Sequence, residues 1–256
     1  MTPEDVRAPL LVVEGLGKSY GPLQAVQDLS FRVGPGEVLG LVGPNGAGKT
    51  STLRCLAGIL PPTTGSVHVA GHALATHPVQ AKRELAFLPD EPRLFEYLTV
   101  REHLAFVARL YGVADWEPRA DALLSEMELG GKEAALPGEL SRGMKQKLSI
   151  ACGLLHSPRL ILLDEPLTGL DPLGIRRMKA SLRARAEAGA ALVLSSHLLP
   201  LVEELCSRIL VIARGRAVAL GTLEEIRARL QGADSGEAPV SLEELFVRIT
   251  RDAEGA

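Results

Sequence analysis

Cysteine is scarce in this chain of 256 residues, which contains only Cys55, Cys152 and Cys206. The three positions lie far apart and form no CxxC pair or Cys/His cluster. Small disulfide-stabilised folds need several paired cysteines, and structural zinc sites need closely spaced ligands, so both classes are disfavoured. This cysteine pattern is typical of a protein that works in a reducing compartment.

The sequence also lacks an uninterrupted apolar run of the roughly 18–20 residues that a membrane-spanning helix requires. Its first ten residues include Pro3, Glu4, Asp5 and Arg7, and they lack the apolar core of a signal peptide. We therefore expect a soluble protein. If it acts at a membrane, another chain must supply the spans.

The sequence also has no excess of basic residues over acidic ones. The chain has 28 lysines and arginines against 31 aspartates and glutamates, a net charge of −3, and its basic residues are dispersed. This distribution argues against a nucleic-acid surface. The hydrophobic content of 46% is enough for a full core, and the length suits one large domain or one domain with a sizeable insertion.

Short, continuous apolar runs predict buried strands. These runs are VLGLV (38–42), LILL (160–163), ALVLSS (191–196) and ILVIA (209–213). They are rich in Val, Ile and Leu and do not alternate with polar residues, which is typical of strands covered on both faces of a mostly parallel sheet. Because helical patterns lie between them, the predicted class is α/β.

Two other regions depart from this pattern. Residues 10–20 and 23–33 alternate apolar and polar positions around Gly21-Pro22, which predicts an antiparallel β piece near the N-terminus. Between about residues 90 and 158 the strand signal disappears, and helical periodicity takes over. We interpret this stretch as a helical subdomain inserted into the α/β core.

Several helix starts are marked by their first residues. Thr99, Thr222 and Ser241 are each followed three residues later by Glu, which predicts capping boxes. Asp171 followed by proline predicts another N-cap.

We place the main domain at residues 1–230. The residues after it have a different composition. Residues 231–240 are small and polar, which indicates a linker. Apolar residues then recur at helical spacing from Leu242 to Ile249, so residues 231–256 are predicted to form a linker and an amphipathic helix. That helix packs either on the chain's own core or on another subunit.

The segment GPNGAGKT (43–50) fits the phosphate-loop pattern G-x-x-x-x-G-K-[ST], and it lies between an apolar strand and a helical run. Its glycines let the backbone curl so that successive N–H groups surround phosphate oxygens, and the helix N-terminus adds partial positive charge. Lys49 supplies a point charge to the β- and γ-phosphates, and Thr50 offers a hydroxyl to Mg²⁺. The segment predicts a P-loop NTPase core.

Two carboxylates, Asp164 and Glu165, follow the apolar run 160–163. Asp164 is the expected Mg²⁺ partner, through water. Glu165 is placed to orient or deprotonate the attacking water, a role typically worth roughly 10²–10⁴-fold in rate. The alternative is that Glu165 only caps the strand end, although adjacent carboxylates repel each other unless a cation is present.

The phosphate loop and the Asp164-Glu165 pair are accompanied by three further short segments, LSRGM (140–144), GLD (169–171) and SSH (195–197). The order and spacing of all five resemble those of an ABC transporter ATP-binding subunit. The resemblance runs from about residue 10 to 230, and it implies that the main domain, residues 1–230, is an ABC-type ATPase domain. Its most specific element is LSRGM, which resembles the family signature LSGGQ. The resemblance implies that Ser141 and Gly143 face the nucleotide of a second subunit, while Arg142 and Met144 depart from the usual Gly and Gln and their contribution is open.

The resemblance assigns three further residues. Tyr20 matches the aromatic that stacks on adenine, although alone it would be read as a hairpin aromatic. His197 matches the switch histidine expected to contact the γ-phosphate. Asp171 matches the loop that links the two active sites of a dimer, and it can also simply cap a helix.

The candidate residues fall into three groups. Those for ATP binding are Tyr20, Gly43, Pro44, Asn45, Gly46, Ala47, Gly48, Lys49, Thr50, Ser51, Ser141 and Gly143. The catalytic candidates are Glu165 and His197. The Mg²⁺ candidates are Thr50, Asp164 and Asp90.

The mechanism implied by the resemblance is a head-to-tail pair of ATPase subunits, in which each ATP lies between the phosphate loop of one subunit and the signature segment of the other. ATP binding would favour the closed dimer, and hydrolysis would loosen it. The expected partners are an integral membrane permease subunit and a second ATPase subunit, with no nucleic acid. The segments LSRGMKQKL and LEELFVRIT resemble those of the ATP-binding subunits of exporters whose membrane subunit is a separate chain. The resemblance therefore implies a cytoplasmic protein that is attached to the inner face of the cell membrane through its membrane subunit.

Two other functions compete with this interpretation. A soluble ATPase acting on nucleic acid or ribosomes would be expected to show a basic face, coiled-coil arms or tandem ATPase units, and none is evident in the sequence. A module that binds ATP without hydrolysing it would have a damaged Lys49, Asp164, Glu165 or His197, and all four are intact.

The loop after residues 85–88 carries unusual apolar residues, among them Leu94, Phe95 and Tyr97. In the family this region receives a short helix from the membrane subunit. The alternative is that two of the three pack under the following helix.

Asp90 occupies the position at which the family commonly has a glutamine that senses Mg²⁺ and the attacking water. Asp90 therefore either reaches the metal through water or serves only as a turn.

Overall fold

The structure, a computed structural model, describes residues 8–231. The strands in this range are β1 (Leu11–Tyr20), β2 (Leu23–Val33), β3 (Val38–Val42), β4 (Thr64–Val69), β5 (His72–Ala73), β6 (Leu85–Leu88), β7 (Leu160–Asp164), β8 (Ala191–Ser195), β9 (Arg208–Ala213) and β10 (Arg216–Gly221). The helices are α1 (Lys49–Leu56), α2 (Pro78–Arg83), α3 (Val100–Tyr111), α4 (Trp116–Glu126), α5 (Arg142–Leu154), α6 (Pro172–Glu187), α7 (Leu199–Leu205) and α8 (Leu223–Gln231).

The smaller of two sheets is antiparallel and has the order β2-β1-β4-β5. Val13 of β1 pairs with Phe31 of β2 on one side and with Val67 of β4 on the other. The β1–β2 turn passes through Gly21 at φ +57°, which glycine adopts without steric cost. The predicted antiparallel piece is confirmed, while β4 and β5 are additions that the sequence interpretation did not include.

The larger sheet has the order β10-β9-β3-β8-β7-β6. From β9 to β6 all neighbouring strands run parallel, and β10 is an antiparallel edge strand. The strands β3, β7 and β8 are buried along their whole length. The predicted α/β class with a mostly parallel sheet is therefore confirmed, and the carboxyl ends of five strands meet at one edge.

The two faces of the large sheet are covered by different layers. Leu39 and Leu41 belong to an apolar cluster shared with the small sheet and α1, whereas Leu192 and Leu194 belong to a cluster shared with α3, α4, α5 and α6. Because both faces are covered, neighbouring residues of each strand are apolar. This is the physical reason why the strand sequences form continuous runs.

The described elements between β6 and β7 are helical, namely α3, α4, a 3₁₀ turn at Pro137–Glu139 and α5. The capping box of Thr99 is present, with Glu102 N donating to Thr99 Oγ1 and Thr99 N donating to Glu102 Oε2. The same reciprocal pair forms between Thr222 and Glu225. The predicted box at Ser241, the linker and the C-terminal amphipathic helix lie outside the described residues.

None of the helices between residues 8 and 231 has the length and apolar character needed to cross a membrane.

Gly40, in the middle of β3, sets the distance between the large sheet and α7. A Cβ at this position would lie 2.7 Å from Val202 Cγ1 and 2.9 Å from Cys206 Sγ, so only a hydrogen fits there. Gly40→Ala should therefore lower the free energy of unfolding by about 1–3 kcal/mol, the usual effect of overpacking a core, as measured by denaturant titration. Gly130→Ala, where a Cβ would meet nothing within 4 Å, is the matched control. Equal losses in the two variants would contradict the packing argument.

Candidate functional site

The phosphate loop joins the carboxyl end of β3 to the N-terminus of α1. Gly46 and Gly48 have φ values of +79° and +103°, in the left-handed region that favours glycine, and Gly48 is the N-cap of α1. A Cβ on Gly48 would lie 2.2 Å from the Ala25 carbonyl oxygen, and one on Gly43 would lie 2.2 Å from the Ile212 carbonyl oxygen. The backbone thus curls tightly against β2 and β9, as the motif predicts.

The other loop residues differ in exposure. Asn45 is exposed and Pro44 is half-buried, while Ala47 is buried and its N–H donates to the Pro44 carbonyl over 3.1 Å. The loop therefore has a fixed base and an accessible rim. An anion bound on the rim would meet backbone N–H groups and the positive end of α1.

Lys49 reaches back across the loop. Its Nζ donates to the carbonyl oxygens of Gly43 over 2.7 Å and Pro44 over 3.1 Å. Burial lowers the pKa of Lys49, and the negative charges of Glu165 and Asp164 partly offset that shift. The ammonium group is thus positioned in the loop between backbone carbonyls and the two carboxylates.

Asp164, the last residue of β7, is held by two hydroxyls. The Ser195 Oγ donates to Asp164 Oδ1 over 2.7 Å, and the Thr50 Oγ1 donates to the same oxygen over 3.3 Å. Asp164 and Ser195 are buried. A carboxylate and a hydroxyl are the hard oxygen ligands that Mg²⁺ prefers, so the Thr50–Asp164 pair fits this ion, directly or through water.

Glu165 leaves the strand in an unusual conformation. Its φ is +49°, uncommon for a residue with a side chain, and its N–H donates to the Ser195 carbonyl over 3.1 Å. Its Oε2 lies 2.8 Å from His197 Nδ1 and accepts from the His197 N–H over 3.3 Å. The two sequence-predicted catalytic residues therefore contact each other. Backbone strain of this kind is concentrated at functional sites.

Tyr20 lies at the end of β1, close to the start of α1. Its hydroxyl is 3.3 Å from Ser51 Oγ, and 43% of the residue is exposed. The Lys18 ammonium lies 5.3 Å from the ring centroid. The ring is thus brought beside the phosphate loop with much of its surface free.

Ser141 and Gly143 lie at the N-terminus of α5. Ser141 is the N-cap and accepts from the Met144 N–H over 3.3 Å. A Cβ on Gly143 would lie 2.9 Å from the Gly169 carbonyl oxygen, and the Arg142 side chain packs against the same glycine. Among residues 8–231, no hydrogen bond joins this segment to the phosphate loop. The two predicted ATP-binding segments are therefore not hydrogen-bonded to each other within one chain.

Asp171 is the N-cap of α6, and its Oδ1 accepts from the Gly174 N–H over 2.6 Å. Asp171 therefore caps a helix in this chain, which was one of its two predicted roles. The role across a dimer stays a prediction.

Asp90 follows β6 at the edge that carries Asp164, but it is not hydrogen-bonded to Thr50 or Asp164. Its Oδ1 is buried and has no hydrogen-bond partner. Within the described residues no group of three or more His, Cys, Asp or Glu side chains is placed to hold a metal ion. A metal here would therefore depend on hydroxyl, substrate or water oxygens as well as Asp164.

Ser195 is a site residue to which the sequence interpretation gave no separate role. It belongs to the SSH segment and is the last residue of β8. Its position at the end of a buried strand could have indicated a site residue. Its hydroxyl bonds Asp164, and its carbonyl accepts the Glu165 N–H. It therefore fixes both carboxylate residues.

A cavity of about 480 Å³ lies elsewhere, at the opposite end of β7 between α4 and the end of α6. Its charged lining is already paired: Arg185 donates to both carboxylate oxygens of Glu126, and Arg119 donates to Ser157. The candidate site is instead the phosphate loop, where the carboxylates, Lys49 and the glycine cradle converge.

Comparisons with known proteins show what the chain as a whole is similar to. A sequence model described as ABC transporter matches residues 26–168. The ABC-type transporter ATP-binding protein EcsA of Bacillus subtilis (strain 168) is 33% identical over 248 residues, which cover 96% of this chain and 98% of that protein. The Nod factor export ATP-binding protein I of Burkholderia thailandensis is 41% identical over 206 residues, covering 80% and 68%. A solved structure titled "Structure of ATP binding subunit of ABC transporter" superimposes with a TM-score of 0.88 at 37% identity, covering 94% of this chain and 99% of that one.

Ser195→Ala tests the support of Asp164. Loss of the buried hydroxyl should lower the free energy of unfolding by about 1.5–3 kcal/mol, because the bond is made to a charged group. It should also weaken Mg²⁺-dependent nucleotide binding, measured by calorimetry, because the carboxylate loses its fixed orientation. Ser196→Ala is the matched control, since the neighbouring buried serine accepts from the Leu198 N–H and does not contact Asp164. Unchanged nucleotide binding in Ser195→Ala would contradict this role.

Proposed function

We propose, from the fact that this chain belongs to the ABC transporter family as an ATP-binding subunit, that it hydrolyses ATP to power export through a separate membrane subunit. The observation that carries the proposal is the cluster at the carboxyl edge of the sheet. There the phosphate loop, the hydroxyl-held Asp164 and the Glu165–His197 pair lie side by side.

ATP is bound, in this proposal, by Tyr20 and the loop Gly43–Ser51. The exposed part of the Tyr20 ring offers a face for stacking on adenine. The backbone N–H groups of the loop, the N-terminus of α1 and Lys49 receive the phosphates. For Lys49 to reach a phosphate, its ammonium must exchange the two loop carbonyls for phosphate oxygens.

Mg²⁺ would be held by Thr50 and Asp164, and it would neutralise negative charge on the phosphates during transfer. The hydroxyl of Thr50 and the carboxylate of Asp164 are already in contact, so little rearrangement is needed to present both oxygens. Asp90 either contributes through water or acts only as a turn.

Glu165 is proposed to accept the proton of the attacking water at its carboxylate. His197 holds that carboxylate through its N–H and its ring Nδ1. The left-handed backbone of Glu165 turns the side chain out of the strand direction, and the bond from its N–H to the Ser195 carbonyl keeps it there. His197 therefore orients the base in this chain, and a contact to the γ-phosphate is a further proposed role.

The active form is proposed to be a head-to-tail dimer. Ser141 is exposed at the positive end of α5, which suits it to contact the phosphate of a nucleotide bound to another subunit. Gly143 packs closely on the Gly169 backbone, so the segment is supported by the loop that leads to Asp171. ATP bridging two such surfaces would stabilise the closed dimer by mass action.

The membrane subunit is proposed to contact the loop after β6. Tyr97 is 91% exposed and Phe95 is 55% exposed, whereas Leu94 packs against the helical core. Phe95 also stacks edge-to-face on Phe106 with ring centroids 5.2 Å apart. Leu94 therefore supports the loop, and the two aromatic rings offer an apolar surface to a partner.

Exporters are the transporter class we favour, since one similar protein is named for Nod factor export and another, YbhF of Escherichia coli (strain K12), as a probable multidrug transporter protein. The proposed location is cytoplasmic, on the inner face of the membrane. The alternative, an ATPase acting on nucleic acid or ribosomes, has no observation in its favour.

Glu165→Gln tests the catalytic proposal. The amide keeps the shape of the side chain but cannot accept a proton, so ATP binding should persist while hydrolysis falls by roughly 10²–10⁴-fold. The variant should also accumulate as an ATP-bound dimer, seen by size-exclusion chromatography with light scattering. Glu187→Gln, on the exposed end of α6, is the matched control. Near-normal turnover in Glu165→Gln would remove this residue from the role.

Tyr97→Ala tests the membrane partner. The wild-type chain, purified from detergent-solubilised membranes, should co-purify with a polytopic membrane protein. Loss of a central aromatic contact should reduce that recovery by roughly fivefold or more. Val79→Ala, which removes an exposed apolar residue from α2, serves as the control. Salt-sensitive recovery with nucleic acid instead of a membrane protein would overturn the transport proposal.

A further inference from the structure

Gln146 is a buried polar residue in α5, with only 2% of its surface exposed. Its Nε2 donates to the Pro89 carbonyl over 3.3 Å. The carbonyl can only accept, so the amide nitrogen must face it. One side chain therefore joins the helix that begins at Ser141 to the turn that carries Asp90.

Two buried oxygens at this joint have no hydrogen-bond partner. One is Gln146 Oε1, on the same amide group, and the other is Asp90 Oδ1, on the residue after Pro89. A buried acceptor without a donor costs free energy, and buried polar groups are nearly always paired. Protein groups therefore satisfy the joint only in part, through the Gln146 Nε2 bond to Pro89.

The joint connects two parts of the proposed site. Leu88 pairs with Leu163 in the register of β6 and β7, so Pro89 and Asp90 follow at the level of Asp164. On the other side, α5 runs directly over β6, since a Cβ on Gly153 would lie 2.5 Å from Leu88 Cδ2. A displacement of α5 would therefore be transmitted to the turn through Gln146.

We infer that Gln146 is a positioning residue, which fixes the Pro89–Asp90 turn to α5 so that Asp90 and the Ser141 end of the helix move together. The kinetic part of this inference rests on the proposed ATPase function. Gln146 does not touch the reacting atoms. It acts by holding Asp90 in place beside Asp164.

The first test needs no nucleotide. Gln146→Met keeps the length and volume of the side chain but removes the donor. In hydrogen–deuterium exchange of the full chain, amides of the loop 89–98 should exchange several-fold faster in this variant than in the wild type. Ser181→Ala, which removes another buried polar group that contacts Arg185, should leave that loop unchanged. Unaltered exchange of the loop in Gln146→Met would overturn the inference.

The second test uses ATP hydrolysis. Gln146→Met should lower kcat by about five- to tenfold and change the KM for ATP by less than about twofold, because the phosphate loop is untouched. Its melting temperature should change little, since the variant loses one hydrogen bond and also one unpaired buried oxygen. A stability loss with unchanged kcat would show a merely structural role and overturn the inference.

Asp90→Ala provides a double-mutant cycle. If Gln146 acts through Asp90, the kcat loss caused by Gln146→Met should largely disappear in the Asp90→Ala background. Multiplicative losses would place Gln146 outside that path and overturn the inference as stated. A wild-type chain without ATPase activity would defeat the proposed function alone, because the exchange measurement would still decide whether the tether exists.

Discussion

The carboxylate of Asp164 accepts hydrogen bonds from Ser195 over 2.7 Å and from Thr50 over 3.3 Å, and this shared acceptor joins β7, β8 and α1 at one point. A buried charge is expensive unless it is hydrogen-bonded, so the position of this group constrains all three elements. The phosphate loop must then curl between β3 and α1 without side chains at Gly43 and Gly48, whose backbone already touches β9 and β2. The proposed Mg²⁺ site follows directly from this arrangement.

At the same strand edge, two adjacent carboxylates lie in different surroundings. Asp164 is the last residue of the strand and accepts from the hydroxyls of Ser195 and Thr50, whereas Glu165 adopts φ +49° and contacts His197. The two carboxylates therefore have different hydrogen-bond partners, although both lie close enough to Lys49 to act on its charge. A strained residue at this point is therefore consistent with function, because the hydrogen bond from its N–H to Ser195 holds the strained conformation in place.

Helix α5 links three features that are distant in sequence. Its first turn carries Ser141 and packs Gly143 against Gly169, its middle holds the Pro89 carbonyl through Gln146, and its last turn packs Gly153 on Leu88. At Gly143 and Gly153 the helix packs so closely on its neighbours that a Cβ would not fit, and Gln146 adds a hydrogen bond between these two points. In the proposed function, a membrane subunit that contacts the loop with Tyr97 would be connected to the Ser141 end of α5 through Pro89 and Gln146.

Local sequence patterns were enough to predict the class of fold and to locate the phosphate loop. Short, continuous apolar runs rich in Val, Ile and Leu are typical of strands covered on both faces, and the spacing of the glycines, Lys49 and Thr50 matches the pattern of a phosphate loop. Tertiary structure alone decided that Ser195 bonds Asp164, that Glu165 pairs with His197, and that Gln146 holds Pro89. These partners are 31, 32 and 57 residues apart, and strand order and helix packing, which no local pattern encodes, bring them together. The strands β4 and β5 were missed for a related reason, because β4 gains its structure from pairing with β1, and the two-residue strand β5 gains its structure from pairing with β4.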